Sequence, residues 1–284
     1  MNDLEAARPG RTVETPIERV DGNERRGDFD RVVTEEPLEL RLAAGGRTQT
    51  LAVTMRTPGN DFELAAGFAC SEGIVRDRAD LLSVSYCIDP DVDAEQRYNI
   101  VNIELAAAAM PDTSRFERHF TINSSCGVCG RANIDALGDS GIAPLVDDTR
   151  VRFETIYALP ERMRAAQRVF ETTGGLHAAA IFTPEGEGVA VREDIGRHNA
   201  LDKLIGWSLM EGRFPLAGTI LAVSGRASYE ILQKAAVARI PIVCAVSAPS
   251  SLAVDLARAF NISLVGFLRG TRANVYAGGE RLMA

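Results

Sequence analysis

With 284 residues, 46% of them hydrophobic and 25% charged, the chain carries enough apolar material for a large core and for two lobes. Its net charge of −8 excludes a general nucleic-acid binder, which must present a basic face to phosphates. No run of about 18 apolar residues occurs and the N-terminus is polar, so neither a membrane span nor a secretory signal is expected, and a cytoplasmic location follows. Five cysteines, an odd number without framework spacing, suit that compartment.

Residues 1–31 are dense in charge and poor in large apolar side chains, the composition of a mobile tail. Order is expected from Val32, with an N-terminal β-rich lobe over 32–115 and an α/β domain over 116–284. Leu38, Leu40 and Leu42 alternate with polar residues, Gly45-Gly46 turn the chain, and Leu51, Val53 and Met55 alternate again, which reads as a hairpin. Asn60 or Asp61 then caps a helix that turns Phe62, Leu64, Ala65, Phe68 and Ala69 inward. Val101, Ile103 and Leu105 mark a further strand. Helical spacing over 162–172 ends at Thr173-Gly174-Gly175. From there strands are expected at 178–182, 189–191, 220–223, 242–246 and finally 264–267, with helices at 199–210, 229–238 and 252–260. Alternating units of this length imply a partly parallel sheet covered by helices on both faces.

The chemistry-bearing motif is Ser125-Cys126-Gly127-Val128-Cys129-Gly130-Arg131. Two thiols at this spacing can share a metal, close a disulfide or pass sulfur between them. A helical turn over 132–137 places Cys126 near a helix N-terminus, where the dipole and Arg131 both favour a thiolate. A structural zinc site requires four ligands, and no second CxxC or nearby His pair supplies them. A zinc deaminase requires a His-x-Glu triplet before a Pro-Cys-x-x-Cys; here Ser125 replaces the Pro, and His177-Ala178-Ala179 comes later and carries no Glu. Sulfur relay or redox work fits best, with a structural pair or an intersubunit metal as the alternatives. Cys70, Cys87 and Cys244 are isolated in apolar settings and read as inert packing.

Ligands of parallel sheets bind beyond the carboxyl ends of the strands. Three polar segments are candidates: Ser224-Gly225-Arg226-Ala227-Ser228, Ser247-Ala248-Pro249-Ser250-Ser251 and Arg269-Gly270-Thr271-Arg272. Hydroxyls and guanidinium groups at helix starts suit phosphate, while the absence of a Walker loop or a Gly-x-Gly-x-x-Gly leaves ordinary ATP or NAD sites unsupported. Arg192-Glu193-Asp194-Ile195-Gly196-Arg197-His198-Asn199 is a further dense polar cluster, either a ligand or acid/base site or an internally paired capping network.

Taken together, Thr54-Met55-Arg56-Thr57-Pro58-Gly59, the Cys126 to Gly130 motif, Thr173-Gly174-Gly175-Leu176-His177-Ala178-Ala179, the 192–203 block, Val223 to Ser228, Val246 to Ala253, and Gly266-Phe267-Leu268-Arg269-Gly270 with Asn274-Val275-Tyr276 stand in an order that closely resembles the formate dehydrogenase accessory sulfurtransferase family, FdhD. The resemblance runs over about residues 34–277. It implies an α/β fold with a cytidine-deaminase-like mixed sheet, flanking helices and a smaller N-terminal β-rich lobe, assembled as a homodimer. It also implies a sulfurtransferase that accepts persulfide sulfur from a cysteine desulfurase. That sulfur passes to the molybdenum of the bis-molybdopterin guanine dinucleotide cofactor, bound as substrate, for the formate dehydrogenase catalytic subunit. Cys126 is then the expected carrier, with Cys129 resolving or relaying. The cofactor is expected on Phe267, Leu268, Arg269, Gly270, Thr271 and Arg272, with its phosphates on Ser224, Gly225, Arg226 and Ser247. No resident metal, nucleic acid or membrane partner is expected. The competing reading is a non-catalytic cofactor-binding chaperone whose cysteines are a structural pair.

Overall fold

The computed structural model describes residues 10–93, 96–111, 134, 137–138 and 141–284. Among these the strands form a six-stranded sheet, a four-stranded sheet and two two-stranded pairs. Over the described part of the tail expected at 1–31 the chain is instead paired: β1 (Thr12–Asp21) and β2 (Glu24–Val33) run antiparallel along their full length. A two-residue Gly22-Asn23 turn joins them, with Gly22 at φ 59°. Unlike charges on diagonal cross-strand neighbours meet over the ribbon, Arg19 Nε reaching Asp28 Oδ2 at 2.8 Å and Arg25 Nη1 reaching Glu18 Oε2 at 3.2 Å. Charge-rich composition here belongs to a cross-strand ladder.

The four-stranded sheet has the order β4-β3-β6-β5. Strands β3 (Glu36–Ala44) and β4 (Arg47–Arg56) form the expected hairpin on Gly45-Gly46. β5 (Leu81–Tyr86) is antiparallel to β6 (Ile100–Leu105), and β6 runs parallel to β3. Helix α1 (Asp61–Ser71) follows β4; Asn60 is its N-cap but makes no side-chain cap bond.

The six-stranded sheet has the order β13-β12-β11-β10-β8-β9. Its parallel centre is β10 (Ile220–Val223), β11 (Ile242–Ala245) and β12 (Ser263–Arg269). β8 (His177–Phe182) and β9 (Gly188–Asp194) extend one side antiparallel, and β13 (Arg272–Ala277) the other. A short parallel pair joins β7 (Val151–Arg152) to β14 (Leu282–Met283). β12 is therefore not the last strand, and 269–272 is the turn of a β12-β13 hairpin in place of a loop leading on to a helix.

Period-two alternation divides the sheet's side chains between two cores. Ala178, Ala180, Phe182, Ile220, Ala222, Ile242 and Cys244 face α2 (Phe153–Ala166), whose Ile156, Leu159 and Met163 cover them. Ala179, Ile181, Leu221, Val223, Val243, Ala245 and Leu264 face the opposite way. There they meet α4 (Arg197–Met210), α5 (Tyr229–Val237) and α6 (Ser251–Ala259). The helical stretch expected at 162–172 is split at Gln167 into α2 and α3 (Arg168–Thr173).

One buried cluster includes β3, β4, β6, α1, α4 and the inner face of the six-stranded sheet, so the two sheets share a core. The contact of α1 with α4 is backbone to backbone. A Cβ on Gly67 would stand 1.8 Å from the Asp202 carbonyl oxygen, and one on Gly206 1.8 Å from that of Glu63.

Candidate functional site

The described candidate residues meet at the carboxyl edge of the parallel strands. Backbone bonds stitch the three segments together: Ser247 N–H donates to the Gly225 carbonyl (3.4 Å), and the Ser247 carbonyl accepts from Phe267 N–H (3.2 Å). The next loop positions pair as well, Ser250 N–H donating to the Ala227 carbonyl at 3.0 Å. Gly266 suits this close crossing, since a Cβ there would lie 3.0 Å from Pro249 Cδ and from Tyr276 Cε2 and 3.2 Å from the Ser247 carbonyl oxygen. Loops far apart in sequence thus form one continuous backbone edge.

Each candidate has a definite place on it. Phe267 is 42% exposed and has φ 53°, the left-handed region that a bulky residue rarely adopts, at a bulge of β12. Such strain places an aromatic ring on the surface and gathers at functional positions. Leu268 turns the other way and is buried against the α2-side core, so its side chain lies outside any ligand surface. Arg269, Thr271 and Arg272 are exposed, with Gly270 at φ 54° in the turn between them. Arg226 is exposed. Ser224 Oγ accepts the Ala178 N–H at 2.9 Å, which leaves its own O–H to donate. Cys126 and Cys129 lie outside the described residues. The other three cysteines are free and buried, and burial pushes the Cys70 and Cys244 thiols up to about 12.

The 192–199 block divides its labour. Arg192 grips Glu63 of α1 through two bonds of 2.5 and 2.7 Å. The Glu193 carboxylate accepts from the Val169 and Phe170 N–H groups and fixes the start of α3. Asp194 is fully buried, 2.7 Å from Lys203 Nζ, and accepts from the Gly196 and Thr57 N–H groups. These three residues are the capping and pairing network. Arg197 and His198 instead belong to the loop edge: Arg197 Nε is buried without a partner among the described residues, and its side chain passes beside Gly225.

Sequence reasoning passed over a cleft of about 480 Å³ at this same edge. Met163, Phe170, Leu176 and Val246 give it apolar walls; Gln167, His177 and Ser224 supply polar groups. Gln167 is 4% exposed and its Nε2 has no partner among the described residues. His177 is held neutral, its pKa lowered by burial and then by the Arg197 and Arg226 guanidinium groups. The signals that pointed here were the Thr173-Gly174-Gly175 stop, whose glycines form part of the rim, and the separately noted His177 and Ser224.

The FdhD/NarQ family model matches residues 33–283, nearly the whole described chain beyond the first hairpin. The chain belongs to the FdhD/NarQ family. A sulfur carrier protein FdhD of Streptomyces coelicolor is 51% identical over 255 residues, covering 89% of each chain. The protein of that name from Streptomyces avermitilis is 52% identical over the same length, again covering 89% of each chain. That of Mycobacterium tuberculosis is 49% identical and covers 88% of this chain and 91% of its own. A crystal structure of a putative formate dehydrogenase accessory protein from Desulfotalea psychrophila superposes with a TM-score of 0.74, over 96% of this chain and all of that one, at 21% identity. That similarity shows a shared mixed α/β fold. Among the described residues no helix is long and apolar enough to cross a membrane.

Proposed function

We propose that this FdhD/NarQ protein is a cytoplasmic sulfur carrier acting as a sulfurtransferase. It takes persulfide sulfur from a cysteine desulfurase and delivers it to the molybdenum of a bis-molybdopterin guanine dinucleotide. That dinucleotide is a substrate destined for the formate dehydrogenase catalytic subunit. Support comes from the family, from relatives of about half identity that carry the sulfur-carrier name, and above all from the stitched edge of 224–228, 247–251 and 266–272. That edge presents Arg226, Arg269 and Arg272 to solvent in a chain of net charge −8, which suits a ligand with several phosphates. In this reading the six-stranded sheet is the cytidine-deaminase-like core, and a homodimer is the working unit.

The chemistry follows from thiol reactivity. The Cys126 thiolate attacks the outer sulfur of the desulfurase persulfide, the S–S bond there breaks, and the desulfurase thiolate leaves. Cys126 then holds the persulfide, with Cys129 as the thiol that resolves or relays it. Incubation with a desulfurase and cysteine is expected to give cyanide-releasable sulfur on the wild-type protein and none on Cys126→Ala. The buried Cys70, Cys87 and Cys244 variants should load normally. Transferable sulfur on Cys126→Ala would sink the assignment and favour the chaperone reading.

The arginines make a second expectation. Guanosine diphosphate, a fragment of the dinucleotide, should bind wild type and bind Arg226→Ala/Arg269→Ala at least about tenfold more weakly, since charge-assisted bonds to phosphate contribute about 1.5–3 kcal/mol each. Equal affinity by calorimetry at fixed salt removes these side chains from the ligand surface.

A further inference from the structure

The β1-β2 ribbon stands outside the cores of the chain. Among the described residues none of 12–33 belongs to either buried cluster, and each is exposed or only partly covered. The ribbon meets the body at its base, where Thr34 N–H donates to the Arg11 carbonyl at 3.0 Å, Arg11 bonds Asn60, and Val33 approaches Gly175. An isolated two-stranded hairpin is at best marginally stable in water, so a projecting ribbon gains from a surface that covers one of its faces. The FdhD/NarQ match begins at residue 33, so the core common to that family does not account for this segment.

Directly opposed residues of an antiparallel pair project on the same side, so the register divides the ribbon into two faces. One face carries Glu14, Pro16, Glu18 and Val20 on β1, opposite Arg31, Phe29, Gly27 and Arg25 on β2. Its apolar groups reach solvent, Phe29 at 61% and Val20 at 57% exposure. All of its carboxylates stand on β1 and all of its guanidinium groups on β2. A two-fold axis along the ribbon lays each β1 over the β2 of a second copy. Glu14 then faces Arg31, Pro16 faces Phe29, and Val20 lies along the aliphatic stem of Arg25, so charge and apolar surface both match. An axis across the ribbon would set carboxylates on carboxylates. The reverse face fails under the favourable operation, because Arg19 would meet Arg26 and Asp21 would meet Glu24.

We propose that this charge-striped face is an interface between two copies of the chain, the ribbons stacking with β1 of each over β2 of the other. The proposal rests on the homodimer of the sulfur-carrier reading, and it assigns the contact to a segment that precedes the family-wide core. The apolar centre of Pro16 and Phe29 supplies the burial, while the flanking acidic and basic rows fix the register and exclude the wrong orientation.

The test is the mass of the full chain by analytical ultracentrifugation at low salt, where the wild type should sediment as a dimer. Phe29→Asp should weaken that association by about tenfold or more, the loss typical of a central aromatic contact. Two charge variants, Glu14→Arg/Glu18→Arg and Arg25→Glu/Arg31→Glu, should each sediment as monomers, because like charges then face one another across the axis. Mixed together they should recover the dimer, the basic β1 of one lying over the acidic β2 of the other. Repulsion within each ribbon persists in the mixture, so recovered mass reports contact between copies and not repair of a damaged arm. Melting temperatures confirm that every variant is folded. Folded variants that remain dimeric, or a mixture that stays monomeric, overturn the ribbon interface and leave the homodimer standing; a wild type that is monomeric throughout the micromolar range removes both.

Discussion

Lys203→Met is expected to cost about 3–5 kcal/mol of folding stability, the usual penalty for removing one member of a buried ion pair. Lys203 is 1% exposed and Asp194 fully buried, with Nζ 2.7 Å from Oδ2. The same ammonium donates to the Thr57 carbonyl at 2.8 Å, so it joins the β4-α1 turn to the β9-α4 turn. Burial lowers the Lys203 pKa while Asp194 opposes that shift, so the charge persists only because its partner is present. Removing Nζ leaves the Asp194 carboxylate enclosed with N–H donors but no countercharge. Denaturant midpoints of wild type and variant measure the loss; a change under about 1 kcal/mol would mean that the interior solvates Asp194 without the lysine.

Gly67→Ala should be comparably damaging, by about 3 kcal/mol or more, although it adds a single methyl group. That methyl would overlap the Asp202 carbonyl at 1.8 Å and approach the Gly206 nitrogen at 2.7 Å, both backbone atoms that no rotamer change can move. Helices α1 and α4 must then separate, and Asp202 carries the carboxylate that pairs with Lys234 at 2.9 Å and accepts from Ser71 at 2.7 Å. Gly27→Ala is the matched control, because a Cβ there meets nothing within 4 Å; it should shift the midpoint by less than about 0.5 kcal/mol. Equal midpoints for the two variants would show that the helix crossing tolerates a wider spacing.

The elements that were legible in sequence are those with a single strong period. β10 stands at 220–223 as read, β11 and α5 differ by one residue at one end, and the β3-β4 hairpin follows its glycine pair. The β1-β2 ribbon was obscured because its stabilising partners are charges, and charge density reads as solvation when each strand is taken alone. Gly22-Asn23 was the available signal, a two-residue turn between two ten-residue stretches that pair from end to end. β13 was hidden for another reason: Asn274, Tyr276 and the exposed Val275 give an edge strand no clear alternation.

At the site, sequence reading found the loops but not their partners. Nothing in the spacing of 224–228 and 247–251 shows that Ser247 bonds Gly225 on one side and Phe267 on the other. The 192–199 block left both a ligand site and a capping network open, the network being favoured, and the fold divides it. Arg192, Glu193 and Asp194 are consumed in tying α1, α3 and α4, while Arg197 and His198 remain at the edge. Leu268 illustrates the limit of carrying over a contiguous motif, since a strand turns alternate side chains in opposite directions.

Lys203 and Lys234 are the only lysines in the chain, and both are buried with carboxylates for partners, Lys203 under the β4-α1 and β9-α4 turns and Lys234 between α1, α4 and α5. Every other side-chain cation is an arginine. In the native protein a lysine-specific protease therefore meets no accessible cleavage point, and amine-directed cross-linkers find no lysine side chain on its surface. Cleavage after either residue requires the helices to part, so the rate of such proteolysis is a clock for the opening of this interior, read without any added label.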